Sequence, residues 1–414
     1  MNIIRKIAHR GFNLAMRLLL PLLPYREPQI LDDVNAVLTV LKSNGTNNVL
    51  LVAGKTVRGT GLTATLEELM ANSGIKITVY DGYKPDPTSD NVEEARELYI
   101  KSGCDAIIAF GGGSAIDLAK AVGARIVRPN MPLRKMAGLI KIRRKLPLFI
   151  AIPTTAGTGS EATVASVIVD AKTHHKYAIS DFCLIPHYTL LAPSLTVGLP
   201  KHLTATTGMD ALTHAVEAFI GRSTTKATRR ASIMAVRLIF ENLERAYENG
   251  KDVDARRSML RASYLAGTAF TKSYVGYVHA VAHTLGGKYG ISHGFANATL
   301  LPVVLRAYGK GAVKPLAALA RAVGISDDVD RDEIAAELII SHIEDMNARM
   351  GIPAKLDCIV ADDIPELARL ADKEANPLYP VPVLWDAREL ESLYRLISKD
   401  ESNRSSSEDR ENLH

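Results

Sequence analysis

Residues 105–127 read DAIIAFGGGSAIDLAKAVGARIV. The segment 105–110 is short, apolar and rich in isoleucine, which suits a buried strand. Gly111, Gly112 and Gly113 then allow a tight turn, and 115–127 carries apolar residues at helical spacing. A strand running through glycines into a helix presents bare amides at the positive helix end, where phosphate oxygens bind well. Glycine runs also serve purely conformational turns, and this one lacks the spacing of the usual Rossmann fingerprint. The strand-to-helix context therefore carries the reading.

Working outward, the runs at 48–53, 75–80, 148–153 and 164–169 share the same Val, Ile and Leu character. A helical pattern covers 88–102, with Ser89 a candidate N-cap there and Ser114 a candidate for the helix after the glycines. This alternation predicts wound α/β structure. The stretch PTTAGTGSE at 153–161 closes one strand; its hydroxyls suit ribose and pyrophosphate oxygens, and a solvated Thr/Ser turn is the other reading. Beyond Pro200, the windows 203–220, 227–247, 255–273 and 313–323 read as helices with hardly a strand among them. The expected division is an N-terminal extension over 1–27, an α/β domain over 28–197, a helical domain over 198–398 and a disordered tail over 399–414.

Composition supports this. A chain of 414 residues, 47% hydrophobic and 23% charged, is long enough for two domains and ordinary enough to bury a core in each. Fifty basic against 45 acidic side chains leave a net charge of +5, with no aromatic-basic interleaving, so no nucleic-acid partner is expected. The basic stretch 134–145 reads as a solvated face, with a phosphate or partner contact as its alternative. Cys104, Cys183 and Cys358 lack CxxC spacing, which points to a reducing, cytoplasmic setting. No apolar run approaches the roughly 20 residues of a membrane span, and 18–23 is broken by Pro21. Within 1–24, however, Arg5, Lys6, Arg10 and Arg17 alternate with Ile3, Ile4, Ile7, Phe12 and Leu18, an amphipathic and basic pattern. A helix packed on the body or on a second subunit is the main reading of it, and membrane-surface contact the other.

The helical half holds the metal chemistry. Asp210 and His214 are four apart in a helical window, so both project from one face. His279, His283 and His293 crowd into a short glycine-rich stretch, in a chain with only 11 histidines. One carboxylate with imidazoles suits Fe(II), Zn(II), Mn(II) or Co(II), although a lone histidine on an apolar helix is more often a satisfied core residue. Spacing alone does not choose between His279 and His283.

Four ordered segments, GGGSAIDLAK at 111–120, PTTAGTGSEAT at 153–163, TGMDALTHAVEAF at 207–219 and VHAVAHTLGGKYGISHG at 278–294, resemble the signatures of the iron-containing (group III) alcohol dehydrogenase family, and ANPLYPVP at 375–382 fits its C-terminal pattern. The resemblance implies a Rossmann-like dinucleotide-binding α/β domain followed by an all-helical metal-binding domain, the dehydroquinate-synthase-like superfold, with the active site in the cleft between them. It implies Asp210, His214, His279 and His293 as metal ligands and His283 as a proton relay. It places Gly54, Gly112, Gly113, Ser114, Asp117, Thr154, Thr155, Thr158, Val167 and Lys176 at the cofactor. The implied activity is hydride transfer between an alcohol and its aldehyde or ketone with NAD or NADP, on a divalent metal (Fe2+ first, then Zn2+ or Mn2+), in a homodimer. Where relatives often carry an acidic residue for the ribose diol, this chain has Gly54, with Lys55 and Arg58 close by, which tilts the expectation toward NADP(H). Ala192 also replaces a common Asp, and 27–33 replaces a glycine-rich entry to the first strand. The alternatives are a glycerol-dehydrogenase-like or dehydroquinate-synthase-like enzyme, or a non-catalytic assembly protein on the same fold.

Overall fold

Neighbouring residues along the central strands face opposite ways, and this sets the layers of the α/β unit. The computed structural model describes residues 1, 3–19, 22–173 and 175–399, so the expected tail over 399–414 lies, apart from Lys399, outside the described residues. The chain forms two compact units: Pro24–Pro200 with Asn249–Thr271, and Met1–Leu23 with Lys201–Glu248 and Lys272–His414. Both units are thus discontinuous in sequence, where a linear division near residue 197 was expected.

The chain opens on α1 (Ile3–Leu19), which belongs to the helical unit. The α/β unit follows with β1 (Gln29–Leu31), α2 (Val34–Ser43), β2 (Asn48–Val52), α3 (Lys55–Gly59), α4 (Ala64–Asn72), β3 (Lys76–Tyr80), α5 (Ser89–Lys101), β4 (Ala106–Gly111) and α6 (Gly113–Val127). Then come α7 (Leu133–Met136), β5 (Gly138–Leu139), β6 (Leu148–Pro153), β7 (Ala165–Val169), β8 (Lys176–Ser180) and β9 (Tyr188–Leu190). The main sheet is parallel throughout, in the order β1-β9-β6-β4-β2-β3. Leu50, Val52, Ile107, Ala109 and Phe149 pack with Val92, Ala95 and Ile116 of α5 and α6. Val49, Leu51, Ile108, Phe110 and Ile150 pack with Val37, Leu41, Leu66 and Met70 of α2 and α4. Strands covered on both faces read as continuous apolar runs, which is why they were legible.

One expected strand falls in a second sheet, and one capping expectation changes. The 164–169 run forms β7 in a separate three-stranded sheet, β5-β8-β7, pairing antiparallel with β8; its burial alternates along the strand, so it is half exposed rather than central. Neither serine caps its helix: Thr88 caps α5 in a capping box with Asn91, and α6 starts from Gly112 with no side-chain cap. The basic stretch 134–145 spends much of its charge locally, with Arg134 on Asp170, Arg143 on the Ile140 carbonyl and Arg144 on the Val127 carbonyl.

Among the described residues nine further helices follow: α8 (Lys201–Ile220), α9 (Lys226–Glu248), α10 (Val253–Ser273), α11 (Tyr277–Tyr289), α12 (His293–Ala307), α13 (Lys310–Ala322), α14 (Asp332–Arg349), α15 (Ile364–Ala375) and α16 (Ala387–Ile397). Most of α10 belongs to the α/β unit and the rest to the helical unit. Helix α8 is buried on nearly every side, from Thr204 to Ile220, and packs against α9 and α12. A helix so enclosed can hold polar groups only where they find partners. Among the described residues, no helix is long and apolar enough to cross a membrane, and the three cysteines are free.

Candidate metal centre and dinucleotide loops

Three helices deliver the metal-type side chains. Asp210 and His214 stand one turn apart on α8, His279 lies in the first turn of α11, and His293 begins α12. Each offers a ligand atom, and these atoms all lie within 4.8 Å of one another. Asp210, His214 and His279 are buried, while His293 is partly exposed. Close approach of α12 to α8 depends on Gly294, where a Cβ would sit 2.4 Å from the Thr206 carbonyl oxygen and 3.3 Å from the Asp210 Cβ.

The lone pairs converge as well as the residues. The Asn297 side-chain amide nitrogen lies 2.7 Å from Asp210 Oδ1, 3.1 Å from His293 Nε2 and 3.3 Å from His279 Nε2, so three acceptors surround one donor. Acceptors arranged around a point are what a cation requires, and three imidazoles with one carboxylate match borderline transition metals. Burial first, then the neighbouring imidazoles of His214, His293 and His283, hold His279 well below its ordinary pKa, in the neutral form that ligates. Its other nitrogen, Nδ1, is 2.6 Å from Glu217 Oε2. Glu217 also accepts the N–H groups of Gly276 and Val278 at 2.7 and 2.9 Å; burial raises its carboxyl, and these two N–H groups act against that rise in favour of the carboxylate. A carboxylate behind a ligating histidine fixes the tautomer and turns the free lone pair toward the ion.

His283 sits one turn beyond His279, outside the set of four. Its ring stacks on His293 with centroids 5.0 Å apart, and its Nδ1 is 2.6 Å from Glu374 Oε1. The Tyr379 hydroxyl donates to the same oxygen at 2.7 Å. Burial acts to raise the Glu374 carboxyl, yet His283 and the Tyr379 hydroxyl outweigh it and hold the group below its ordinary value.

In the α/β unit most of the cofactor-type residues follow the C-terminal ends of main-sheet strands, while Val167 and Lys176 lie on β7 and β8 of the smaller sheet. Gly111 pairs with Pro153 and Val52 with Ala109, so the turns after β2, β4 and β6 leave adjacent strands at similar levels. These turns carry Gly54, then Gly112, Gly113 and Ser114, then Thr154 and Thr155. The strand order reverses between β2 and β4, the kind of switch point where open α/β sheets bind ligands. Thr158 packs on Gly113, where a Cβ would lie 2.8 Å from the threonine Cγ2. Asp117 braces rather than reaches outward, since its carboxylate accepts the Ser160 hydroxyl and the Val167 N–H, both at 3.1 Å. Lys176 pairs with Asp86 at 2.7 Å.

Sequence reasoning missed several supports. Glu217 lies three residues after His214 on the same buried helix, and a carboxylate inside AVEAFI was the available signal. Asn297 lies four after His293 and so shares its face. Gly159 and Gly267 meet back to back: a Cβ on Gly267 would lie 2.6 Å from the Gly159 carbonyl oxygen, and Ser263 accepts the Gly159 N–H at 3.2 Å. No local pattern marks that last pair, because its partners are distant in sequence.

Comparison with known proteins agrees with this geometry. Residues 29–193 match the iron-containing alcohol dehydrogenase family, and residues 204–397 match the C-terminal part of the Fe-containing alcohol dehydrogenase family. The 1,3-propanediol dehydrogenase of Citrobacter freundii is 39% identical over 356 residues, covering 85% of this chain and 91% of that protein. Among solved structures, an alcohol dehydrogenase from Oenococcus oeni is similar with a TM-score of 0.86 at 32% identity, covering 90% of this chain and 100% of that one. The sulfoacetaldehyde reductase of Bifidobacterium kashiwanohense, in complex with NAD+, is similar with a TM-score of 0.79 at 27% identity, covering 91% and 99%. The chain belongs to the iron-containing alcohol dehydrogenase family.

Proposed function

We propose that this alcohol/aldehyde oxidoreductase acts on a small primary or secondary alcohol and its carbonyl partner, using a divalent metal held by Asp210, His214, His279 and His293. The observation that carries the reading is the convergence of those four ligand atoms within 4.8 Å. A divalent ion there, iron first and zinc or manganese compatible with the same donors, supplies Lewis-acid polarisation of the substrate oxygen, while a nicotinamide dinucleotide supplies or accepts hydride. The named activity of the Citrobacter relative supports a short alcohol as substrate, and the NAD+ complex of the Bifidobacterium structure supports the dinucleotide.

The chain's own residues do the rest. Glu217 holds the His279 ring so that Nε2 faces the cluster. His283 handles the proton, with its Nδ1 held by Glu374, whose carboxylate is itself held by the Tyr379 hydroxyl. The uncapped N-terminus of α6 offers the amides of Gly113 and Ser114 to pyrophosphate, and Thr154, Thr155 and Thr158 add hydroxyls. Asp117 ties this helix to Ser160 and Val167, keeping the loops in register, with Lys176 on the strand beside Val167.

Gly54 leaves the end of β2 without a carboxylate, and Lys55 and Arg58 line the hollow beside it. NADP(H) is therefore used as readily as NAD(H), even though Arg58 already contacts Glu67 at 3.4 Å and Asp81 at 3.5 Å. Gly54→Asp fits its ordinary φ of −64° and should swing the NADPH to NADH ratio of kcat/KM toward NADH; an unchanged ratio removes Gly54 from cofactor choice. A homodimer is the assembly reading, with exposed Ile30 on edge strand β1 an available surface. Three unpaired thiols suit the cytoplasm.

The test of the whole reading is the absorbance of NADH or NADPH with metal-replete protein and a panel of short aldehydes. Consumption should vanish with chelator and in His279→Ala. Tight dinucleotide binding with no turnover on any aldehyde would sink the reading and favour a lyase or a scaffold.

A further inference from the structure

Helix α1 is built inside out. Its polar side faces the protein: His9 and Asn13 are buried, and the Asn13 amide donates to the Pro377 carbonyl at 2.8 Å. Arg5 grips Asp372 at 2.9 and 3.2 Å, Arg10 donates to the Val381 and Pro382 carbonyls at 2.7 Å each, and the terminal amine lies 2.6 Å from Asp386. Its apolar side faces away. Ile4 is 76% exposed, Ile7 67%, Leu14 57% and Leu18 67%. Residues 4, 11 and 18 and residues 7 and 14 recur at sevens, so they form one continuous stripe, with Ile3 beside it and exposed Leu22 just beyond. The helix runs about 25 Å, from 1.5 Å per residue.

A soluble surface rarely carries so long an aliphatic stripe without a use. The helix precedes the family match, which begins at residue 29. Charge decides what covers the stripe. Helix α1 contains no Asp or Glu, and besides the docked Arg5 and Arg10 it carries Lys6 and the exposed Arg17. A second copy of α1 laid along the stripe would bring no acidic side chain to face Arg17, because neither helix has one. Anionic headgroups supply that charge, and acyl chains take Ile and Leu without asking for hydrogen bonds.

We infer that α1 seats the protein on the surface of a bilayer rich in anionic lipid, its docked polar face serving as the joint to the helical unit. The test is flotation of the full chain with vesicles of phosphatidylcholine alone and of phosphatidylcholine mixed with phosphatidylglycerol. The protein should float with the mixed vesicles, less so as salt is added, and stay behind with the neutral ones. Ile7→Asp with Leu14→Asp, both on the exposed side, should weaken binding by at least about tenfold while leaving dehydrogenase turnover unchanged. Three results overturn the proposal: no flotation with anionic vesicles, equal flotation of the variant, or light scattering that shows a wild-type oligomer dispersed by the same substitutions.

Discussion

In the helical unit the chemistry rests on side chains that must point at one place, whereas in the α/β unit it rests largely on side chains that are absent. Asp210, His214, His279 and His293 come from three helices and are steered by Glu217 and Asn297. The proposed dinucleotide loops instead carry Gly54, Gly112 and Gly113, which leave the backbone bare, and Gly159 lies against Gly267 with two segments within touching distance. One arrangement is sensitive to the loss of a donor atom and the other to the gain of a carbon. Damage to the two regions should therefore separate cleanly in experiment.

The largest effect should come from removing a ligand. His293→Ala leaves two imidazoles and a carboxylate, and we expect bound metal and turnover to be lost together while dinucleotide binding, read by fluorescence, survives; retention of stoichiometric metal by elemental analysis would break the contrast. Next comes Gly267→Val. With its Cβ 2.6 Å from the Gly159 oxygen, it should cost about 1–3 kcal/mol in unfolding free energy and weaken dinucleotide binding, with metal content unaltered. A variant that melts like the parent would show that the glycine contact is not needed.

Glu217→Gln keeps the shape and loses the carboxylate behind His279. Metal affinity, measured by competition with a chelator, should fall about 10–100-fold, with little change in the KM for dinucleotide. An equal fall in both would mean that the residue supports the fold generally.

The smallest effect comes from a neutral imidazole in the α/β unit. His187 in the α/β unit accepts the Phe149 N–H at Nδ1, and burial, followed by the charge of Arg26, pushes it down to about 4. A depressed folded pKa means that the unfolded chain takes up the proton first. Stability is therefore full above about pH 6.5 and declines as pH falls toward 4. In metal-loaded protein, the melting temperature of His187→Gln should fall less than that of the parent between pH 7.5 and pH 5. Parallel curves would show that His187 does not titrate on unfolding.

The α/β half was legible because its signals are local. A doubly buried strand is a continuous apolar run, and the passage from 105–110 through glycines into a helix fits in one window. The capping error there was also a local contest. Thr88 won the α5 cap from Ser89 because Asn91 completed its box, while the 164–169 run is the expected strand, β7, half exposed in a second sheet. The metal half showed itself as residue types at helical spacing, but choosing His279 over His283 took the family pattern.

The sequence by itself determined the class of each half, the glycine and threonine loops, the candidate donors and the amphipathic character of the first helix, because each depends on periodicity or on short-range stereochemistry. Only the tertiary structure decided that Glu217 backs His279, that Gly159 meets Gly267, that α10 returns to the α/β unit and that α1 turns its polar side inward. These depend on which distant segments share a volume, and packing, unlike periodicity, leaves no trace within a window of neighbouring residues.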